Sequence, residues 1–338
     1  LVLLWLLRAW LWLFLFAYLG LIVLAGIVAL ALVAQRVLAR VCWKREADPK
    51  GNGSRGRPSS GPVLVPAAIY KRPDPLLYSQ AWMAARGLAV SWDNPDITVL
   101  RVPGPSLPPQ PAQAHALAPN QPHLIRARIW NGSTEAPAVN LLVRFFYLTF
   151  GIGAHRERIG EMLLPDLPVK GAAGLPRVAE MPWTTPASAG HYCLQVELVW
   201  TDDADQDNNV GQTNLDIKAL NSPNATFTFP VRNDGLHPAR LRMTVDAYRL
   251  PAPEDCGETA ADQPRDRLAR HRPEANALPA GWSVDVAWRA EDVLAAGEER
   301  PVTVKVTAPD GFTGALDVNV NAFDRERLVG GVTLRVHS

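Results

Sequence analysis

The chain has 338 residues, with 34 Lys and Arg against 33 Asp and Glu and a formal net charge of +1. That balance supplies no global electrostatic footprint for nucleic acid, so no nucleic-acid partner is expected. Thirty Pro and 24 Gly describe a chain that turns often and pairs short strands, and beyond an apolar N-terminus and a polar tether about 270 residues remain, room for two ordinary domains.

Residues 1–45 are read as a transmembrane helix with a basic flank. From Ala9 to Ala34 there is no charged residue. At 1.5 Å per residue this run spans about 39 Å, enough to cross a ~30 Å hydrocarbon layer with some tilt. A cleaved leader is the competing reading, with Ala29-Leu30-Ala31 as an A-x-A-like site, but its apolar region is usually only ~7–15 residues long. Trp5, Trp10 and Trp12 at one end and Trp43 near the other have the placement of interfacial aromatic belts, joined by Arg36 and Arg40 as headgroup anchors. Arg36, Arg40, Lys44 and Arg45 after the helix, against Arg8 before it, put the C-terminal bulk in the cytoplasm by the positive-inside rule. The sandwich type argued below is usually extracytoplasmic. The expected location is a bacterial inner membrane with the C-terminal domains in the periplasm, the bacterial source being inferred from the Ala, Arg and Pro richness.

Residues 46–122 are expected to be an extended tether. Ala47 to Gly61 has the composition of a flexible linker that cannot bury apolar surface; it is held either by something outside the chain or by packing on its own sandwich. A short helix is expected over 75–86, with Asp74 as N-cap, Pro75 at N1 and Gly87 at C′. Trp92 to Asp96 reads as a turn, Ile97 to Val102 as a strand and Pro103 to Pro122 as an extended connector.

The first sandwich is expected over 123–218. In His123 to Trp130, Ile125, Ala127 and Ile129 alternate with Arg126, Arg128 and Trp130, and Asn131-Gly132 is a turn signal. Val139 to Leu148 is apolar on both faces, as in a central strand. In His191 to Trp200, Tyr192, Leu194, Val196, Leu198 and Trp200 share one face. The run Ala189 to Val196, entering a strand through Tyr192-Cys193, resembles the penultimate strand of an immunoglobulin-like sandwich, with His191 where a tyrosine corner would carry Tyr. Cys42, Cys193 and Cys256 are too few and too scattered for a disulfide framework, and Cys193 is read as a small buried hydrophobe.

The stretch Ile125 to Asn140 together with Asp205-Gln-Asp-Asn-Asn-Val-Gly-Gln212 resembles the bacterial cell-adhesion-related domain (CARDB), in which an early strand ends in an Asn-Gly-type turn and an Asp/Asn-rich hairpin precedes the last strand. The resemblance covers residues 123–218. It implies an immunoglobulin-like sandwich and, by the family's name, adhesion. Within that hairpin Asp203, Asp205, Asp207 and Asn209 alternate as calcium-loop ligands do, without the loop's central glycine or distal bidentate Glu. An Asx-rich turn accounts for them equally well.

From residue 219 to 338 the alternation restarts. Phe227/Phe229/Val231, Leu241/Met243/Val245, Trp282/Val284/Val286/Trp288, Val302/Val304/Val306, Leu316/Val318/Val320 and Val332/Leu334/Val336 are period-2 stripes of a second sandwich. An insertion at 251–278 carries Arg265, Arg267, Arg270 and Arg272, either as a solvated loop or as a partner-binding loop. The fold class is therefore all-β, two tandem immunoglobulin-like β-sandwiches after one N-terminal transmembrane helix.

No HExxH, GxSxG or GxxxxGK[ST] occurs, and Gly151-Ile-Gly153 has Arg156 where a dinucleotide fingerprint needs its third glycine. No enzyme activity, cofactor or metal is expected. The leading reading is an accessory subunit that stabilises a larger integral membrane complex, with integral membrane subunits and the lipid bilayer as partners and Tyr70, Tyr78, Trp82 and Trp92 among the contacts. The alternative is a membrane-tethered adhesion or carbohydrate-binding protein, with glycan as partner. The two differ in their tryptophans: Trp82, Trp92 and Trp183 in a row on an open surface would favour glycan binding, and their burial the scaffold.

Overall fold

The computed structural model describes residues 72–338 except 104–107, 113–116, 188–190, 221–222, 252–268 and 290. The apolar segment at 9–34 and its flanking Trp5, Trp10, Trp12, Trp43, Arg36 and Arg40 lie outside the described residues, as do Tyr70, Arg265 and Arg267. Among the described residues no helix is long and apolar enough to cross a membrane.

The described chain is mostly strand. In order it forms β1 (Pro75–Leu76), α1 (Gln80–Ala85), β2 (Ile97–Arg101), β3 (Gln110–Ala112), β4 (Pro122–Asn131), β5 (Ala138–Thr149), β6 (Arg156–Leu167), β7 (Arg177–Thr184), β8 (Tyr192–Val199), β9 (Val210–Thr213) and β10 (Leu215–Ala219). Then follow β11 (Asn224–Arg232), β12 (Ala239–Asp246), β13 (Ser283–Val286), β14 (Val293–Leu294), β15 (Glu299–Thr307), β16 (Ala315–Asp324) and β17 (Arg327–His337).

Period-2 patterning builds two cores. In the first, β4 pairs with β1, β2 and β7 while β3 pairs with β2; this sheet faces a second of order β6-β5-β8-β9. Ile125, Ala127 and Ile129 from one sheet meet Val143, Phe145, Leu194 and Val196 from the other, all fully buried. In the second, a sheet of order β10-β17-β16-β12-β14 packs on β11-β15-β13. Phe227, Val302 and Val304 there meet Leu241, Val318, Val320 and Leu334. The stripes read from the sequence at 227–231, 241–245, 302–306, 316–320 and 332–336 all fall on these strands, because a half-buried strand must place every second side chain inward.

Three expectations are corrected. The region taken as tether up to residue 122 contributes β1, β2 and β3 to the first sandwich, with Ile97 opposite Ala127 and Val99 opposite Ile125. The buried carbons of Ile97, Val99 and Leu100 supply the reason, since an apolar strand beside an open edge completes both a ladder and a core. The helix is shorter than 75–86: Pro75 and Leu76 pair with Asn131 and Trp130, and Ser79 is the N-cap, its Oγ accepting from the Trp82 amide at 3.4 Å. Its C-terminus matches the reading, for Gly87 has φ +69°, and Gly87 N and Leu88 N donate to Ala84 O and Met83 O in a Schellman closure. Asn131-Gly132 does not close a hairpin, because the following strand β5 belongs to the facing sheet. Asn131 Oδ1 instead accepts from Asp74 N and Ser133 N.

Candidate functional site

Residues 72–96 are strapped across both sandwiches, and the chemistry of this strap defines the candidate site. At the junction, Trp92 is only 4 % exposed. Its amide donates to Thr333 Oγ1 and its indole Nε1 to Asn321 Oδ1, both at 2.8 Å, and its carbonyl accepts from Asn214 N at 2.7 Å. A β-carbon at Gly331 would stand 2.4 Å from the indole nitrogen, so the absent side chain makes room for the ring. Trp92, named from sequence as a partner contact, is thus spent inside the molecule.

Asn214 is the single residue between β9 of the first sandwich and β10, which runs parallel to β17 of the second. Fully buried, it donates through Nδ2 to Gly151 O at 2.7 Å and to Gly331 O at 2.6 Å, and its carbonyl accepts from Thr333 N at 2.9 Å. The Cys193 thiol bonds to its Oδ1, and burial pushes that thiol well up from its ordinary value. Phe150 stacks on His191 and meets Phe229 of the second core edge-on.

Gly151 and Gly153, which failed as a dinucleotide motif, have a packing role here. Ile152 N donates to Pro230 O and Ile152 O accepts from Arg232 N, both at 2.9 Å, so this turn adds a bridge to β11. Added β-carbons would stand 2.6 Å from Pro230 O and 2.2 Å from Arg232 O, and both glycines have positive φ.

Beneath the strap, the outward positions of β16 are buried rather than solvated. Asn319 donates to Asp246 Oδ1 at 2.7 Å and to Tyr248 O at 2.8 Å, while Asn321 donates to Asp246 Oδ2 at 3.2 Å. Asp317 and Asp93 share Arg335, at 2.5 and 2.8 Å. Burial pushes the Asp246 carboxyl up, against the lowering effect of Asn319. Where the insertion rejoins the fold, His271 O accepts from Ala89 N and the His271 ring lies 2.8 Å from the Tyr248 hydroxyl. Arg270 and Arg272 are exposed on that turn, their carbonyls accepting from Asn276 Nδ2.

The Asp/Asn-rich loop between β8 and β9 clasps the other end of the strap. Arg72 donates to Asp202 and to the Asp203 carbonyl, and Asn208 Nδ2 donates to Asp74 Oδ1 at 2.9 Å. Asp205 Oδ2 accepts from Trp82 Nε1 at 2.7 Å and from Arg86 at 3.1 Å, while its Oδ1 accepts from Asp207 N. Asp203 accepts from Asn209 Nδ2 and from Asp205 N; burial is the largest cause lifting its carboxyl to about 6. Of the candidate calcium ligands, the Asp203 and Asp205 carboxylates are therefore engaged within the loop and with the strap, while Asp207 joins through its backbone and Asn209 through Nδ2. Among the described residues no group of three or more His, Cys, Asp or Glu is placed to hold a metal ion.

Between α1 and the end of β4 lies a cleft of about 410 Å³, walled by Leu76, Trp82, Met83, Pro95 and Trp130, with Asp74 opening into it. Trp82 and Trp130 are partly exposed here, and Tyr78, whose hydroxyl accepts from Ser91 N at 3.0 Å, also contributes. Sequence reading singled out Tyr78 and Trp82 but not Trp130, which looked like the solvent face of a strand. Trp183 is 6 % exposed in a core cluster with Tyr147 and Tyr192. The three tryptophans chosen to separate the two functional readings do not form an open row.

No protein-family model matches the chain, and no curated protein does. Among solved structures it is similar at low level to alpha-2-macroglobulin of Escherichia coli activated by porcine elastase, with 10 % identity, TM-score 0.21, and 72 % of this chain against 22 % of that one covered. For the red sea bream transglutaminase the identity is 11 %, the TM-score 0.19 and the coverage 67 % and 30 %. For the Vibrio cholerae VesB protease they are 10 %, 0.26, and 74 % and 98 %. The chain spans less than a third of the first two proteins, and likeness at these TM-scores carries no argument about activity.

Proposed function

We propose that the protein is a non-catalytic accessory subunit, anchored by the apolar segment at 9–34, whose two immunoglobulin-like sandwiches stabilise a larger integral membrane complex from the extracytoplasmic side. The single observation that carries this reading is the strap. The residues that follow the expected membrane anchor and tether are fastened to both sandwiches through Trp92, Asn214 and the 202–209 clasp. Such an arrangement suits a part that must hold one orientation relative to membrane-embedded neighbours, because freely jointed domains would lose any fixed contact to conformational entropy. The burial of Trp92 and Trp183 supports the accessory-subunit reading over the glycan-binding alternative, for which an open row of these tryptophans was one expected mark. The CARDB resemblance of residues 123–218 belongs to the same proposal, at the level of sandwich type.

The test is native electrophoresis of the protein extracted from its own membrane in mild detergent, with mass spectrometry of what migrates beside it. Stoichiometric co-migration with integral membrane subunits is expected. Migration as a lone 36.9 kDa chain in several mild detergents would sink the proposal.

A further inference from the structure

We propose that the cleft between α1 and β4 binds a lysine or arginine side chain carried by an extended segment of a partner protein, a reading that rests on the accessory-subunit role and names the chemistry of one contact. Its walls come first. Trp82 Nε1 donates to Asp205 and Trp130 Nε1 to Asp96, at 2.7 and 3.1 Å. Both indole N–H groups are thus satisfied inside the protein, and the rings offer the cleft their carbon surfaces, with Leu76, Met83 and Pro95 completing an apolar lining. An aliphatic stem buries well against such a lining.

The charges come second. Three carboxylates border the cleft, and among the described residues no Lys or Arg lines it. Asp205 already has Arg86 at 3.1 Å and Asp96 has Arg128 at 3.3 Å. Asp74 has only the neutral Asn208 amide on Oδ1, and among the described residues no cation stands within ion-pair distance of it. Burial pushes its carboxyl up against the lowering effect of the Asn208 hydrogen bond, the nearby Asp205 raises it further and the charge of Lys170 lowers it. One half-buried carboxylate at the end of an apolar, tryptophan-walled cleft is complementary to a cation on an apolar stem. The fold already uses this pairing at the cleft's own edge, where the Arg86 guanidinium lies 3.7 Å from the centre of the Trp82 ring while reaching Asp205. The cleft is larger than one such stem requires, which leaves room for the flanking residues of an extended peptide.

The experiment is a calorimetric titration of the full-length protein in dodecyl maltoside with acetyl-Pro-Leu-Lys-Leu-Pro-amide and its counterpart carrying norleucine for Lys. The lysine peptide is expected to bind at least tenfold more tightly. Asp74→Asn, which keeps the bond from Asn208, should erase that preference, and Met83→Arg, which places a cation in the cleft, should abolish binding of the lysine peptide. Equal binding of the two peptides, no binding of either, or an undiminished preference in Asp74→Asn overturns the proposal. Tighter binding of chitotriose than of the lysine peptide overturns it in favour of a glycan site. Co-migration of the wild-type chain with membrane subunits is read separately, so either result can fail while the other stands.

Discussion

Two sheet faces with the same sequence pattern meet opposite fates. On β5, β6 and β8 the outward row of Arg144, Glu161 and Glu197 stays at the surface, with Arg144 3.3 Å from Glu161 and 3.8 Å from Glu197. On β16 the outward row of Asp317, Asn319 and Asn321 is buried, Asn319 completely. In both, polar residues alternate with the apolar residues of a core. What differs is that the second face lies under residues 77–93, so its polar groups had to find partners inside the protein. A polar stripe facing solvent is weakly constrained, whereas a covered one must be satisfied atom by atom.

The comparison can be broken most severely at its centre. Trp92→Ala removes the ring seated on Gly331 and strips Asn321 Oδ1 of its indole donor, while the main-chain amide bond to Thr333 Oγ1 is kept; a loss of about 3–5 kcal/mol is expected in urea denaturation of the detergent-solubilised chain. A loss under about 1 kcal/mol would mean that the strap does not hold the covered face.

The clasp sharpens the contrast through pH. Asp203 binds its proton more tightly folded than unfolded, its carboxyl being lifted from 3.8 to about 6. The folded state therefore holds the extra proton between these values, so this group's contribution is complete below about pH 4 and is lost as pH rises through about 6. The loss is on the order of 2–3 kcal/mol. Asp203→Asn should flatten that part of the stability profile, and an unchanged slope would contradict the burial of this carboxylate.

Asn319→Ala takes a donor from Asp246 Oδ1, leaves Tyr248 O without that donor and Thr333 Oγ1 without its acceptor; about 1–3 kcal/mol should be lost. The smallest effect belongs to the open face. Arg144→Ala should cost roughly 0–1 kcal/mol and respond to added salt. Were Arg144→Ala as damaging as Asn319→Ala, the distinction between the two faces would collapse.

Much of the second sandwich was legible in the sequence because Val302, Val304 and Val306 alternate with Thr303 and Lys305, which face out, and Val332, Leu334 and Val336 keep the same period although Thr333 between them is covered. β6 escaped notice, since Arg156-Glu-Arg at its start and Pro165-Asp166 near its end dilute the alternation on an edge strand. β7 contains Pro182, which argues against a strand unless that strand lies at an edge, as this one does. Of the candidate site, Tyr78, Trp82 and the 202–209 carboxylates were named individually. Their mutual contact was not, because Trp82 and Asp205 lie 123 positions apart and nothing local links them.

Local chemistry determined by sequence alone includes the β-strand grammar, the glycine stop after α1 and the apolar length of the segment at 9–34. Each rests on neighbours along the chain, where periodicity and φ preferences act directly. Only the tertiary structure decided that β1 to β3 join the first sandwich, that Asn214 and Trp92 lock the junction, and that Asp317, Asn319 and Asn321 lie inside. Those outcomes depend on which face another segment covers, and burial is a property of the assembled molecule rather than of any residue within it.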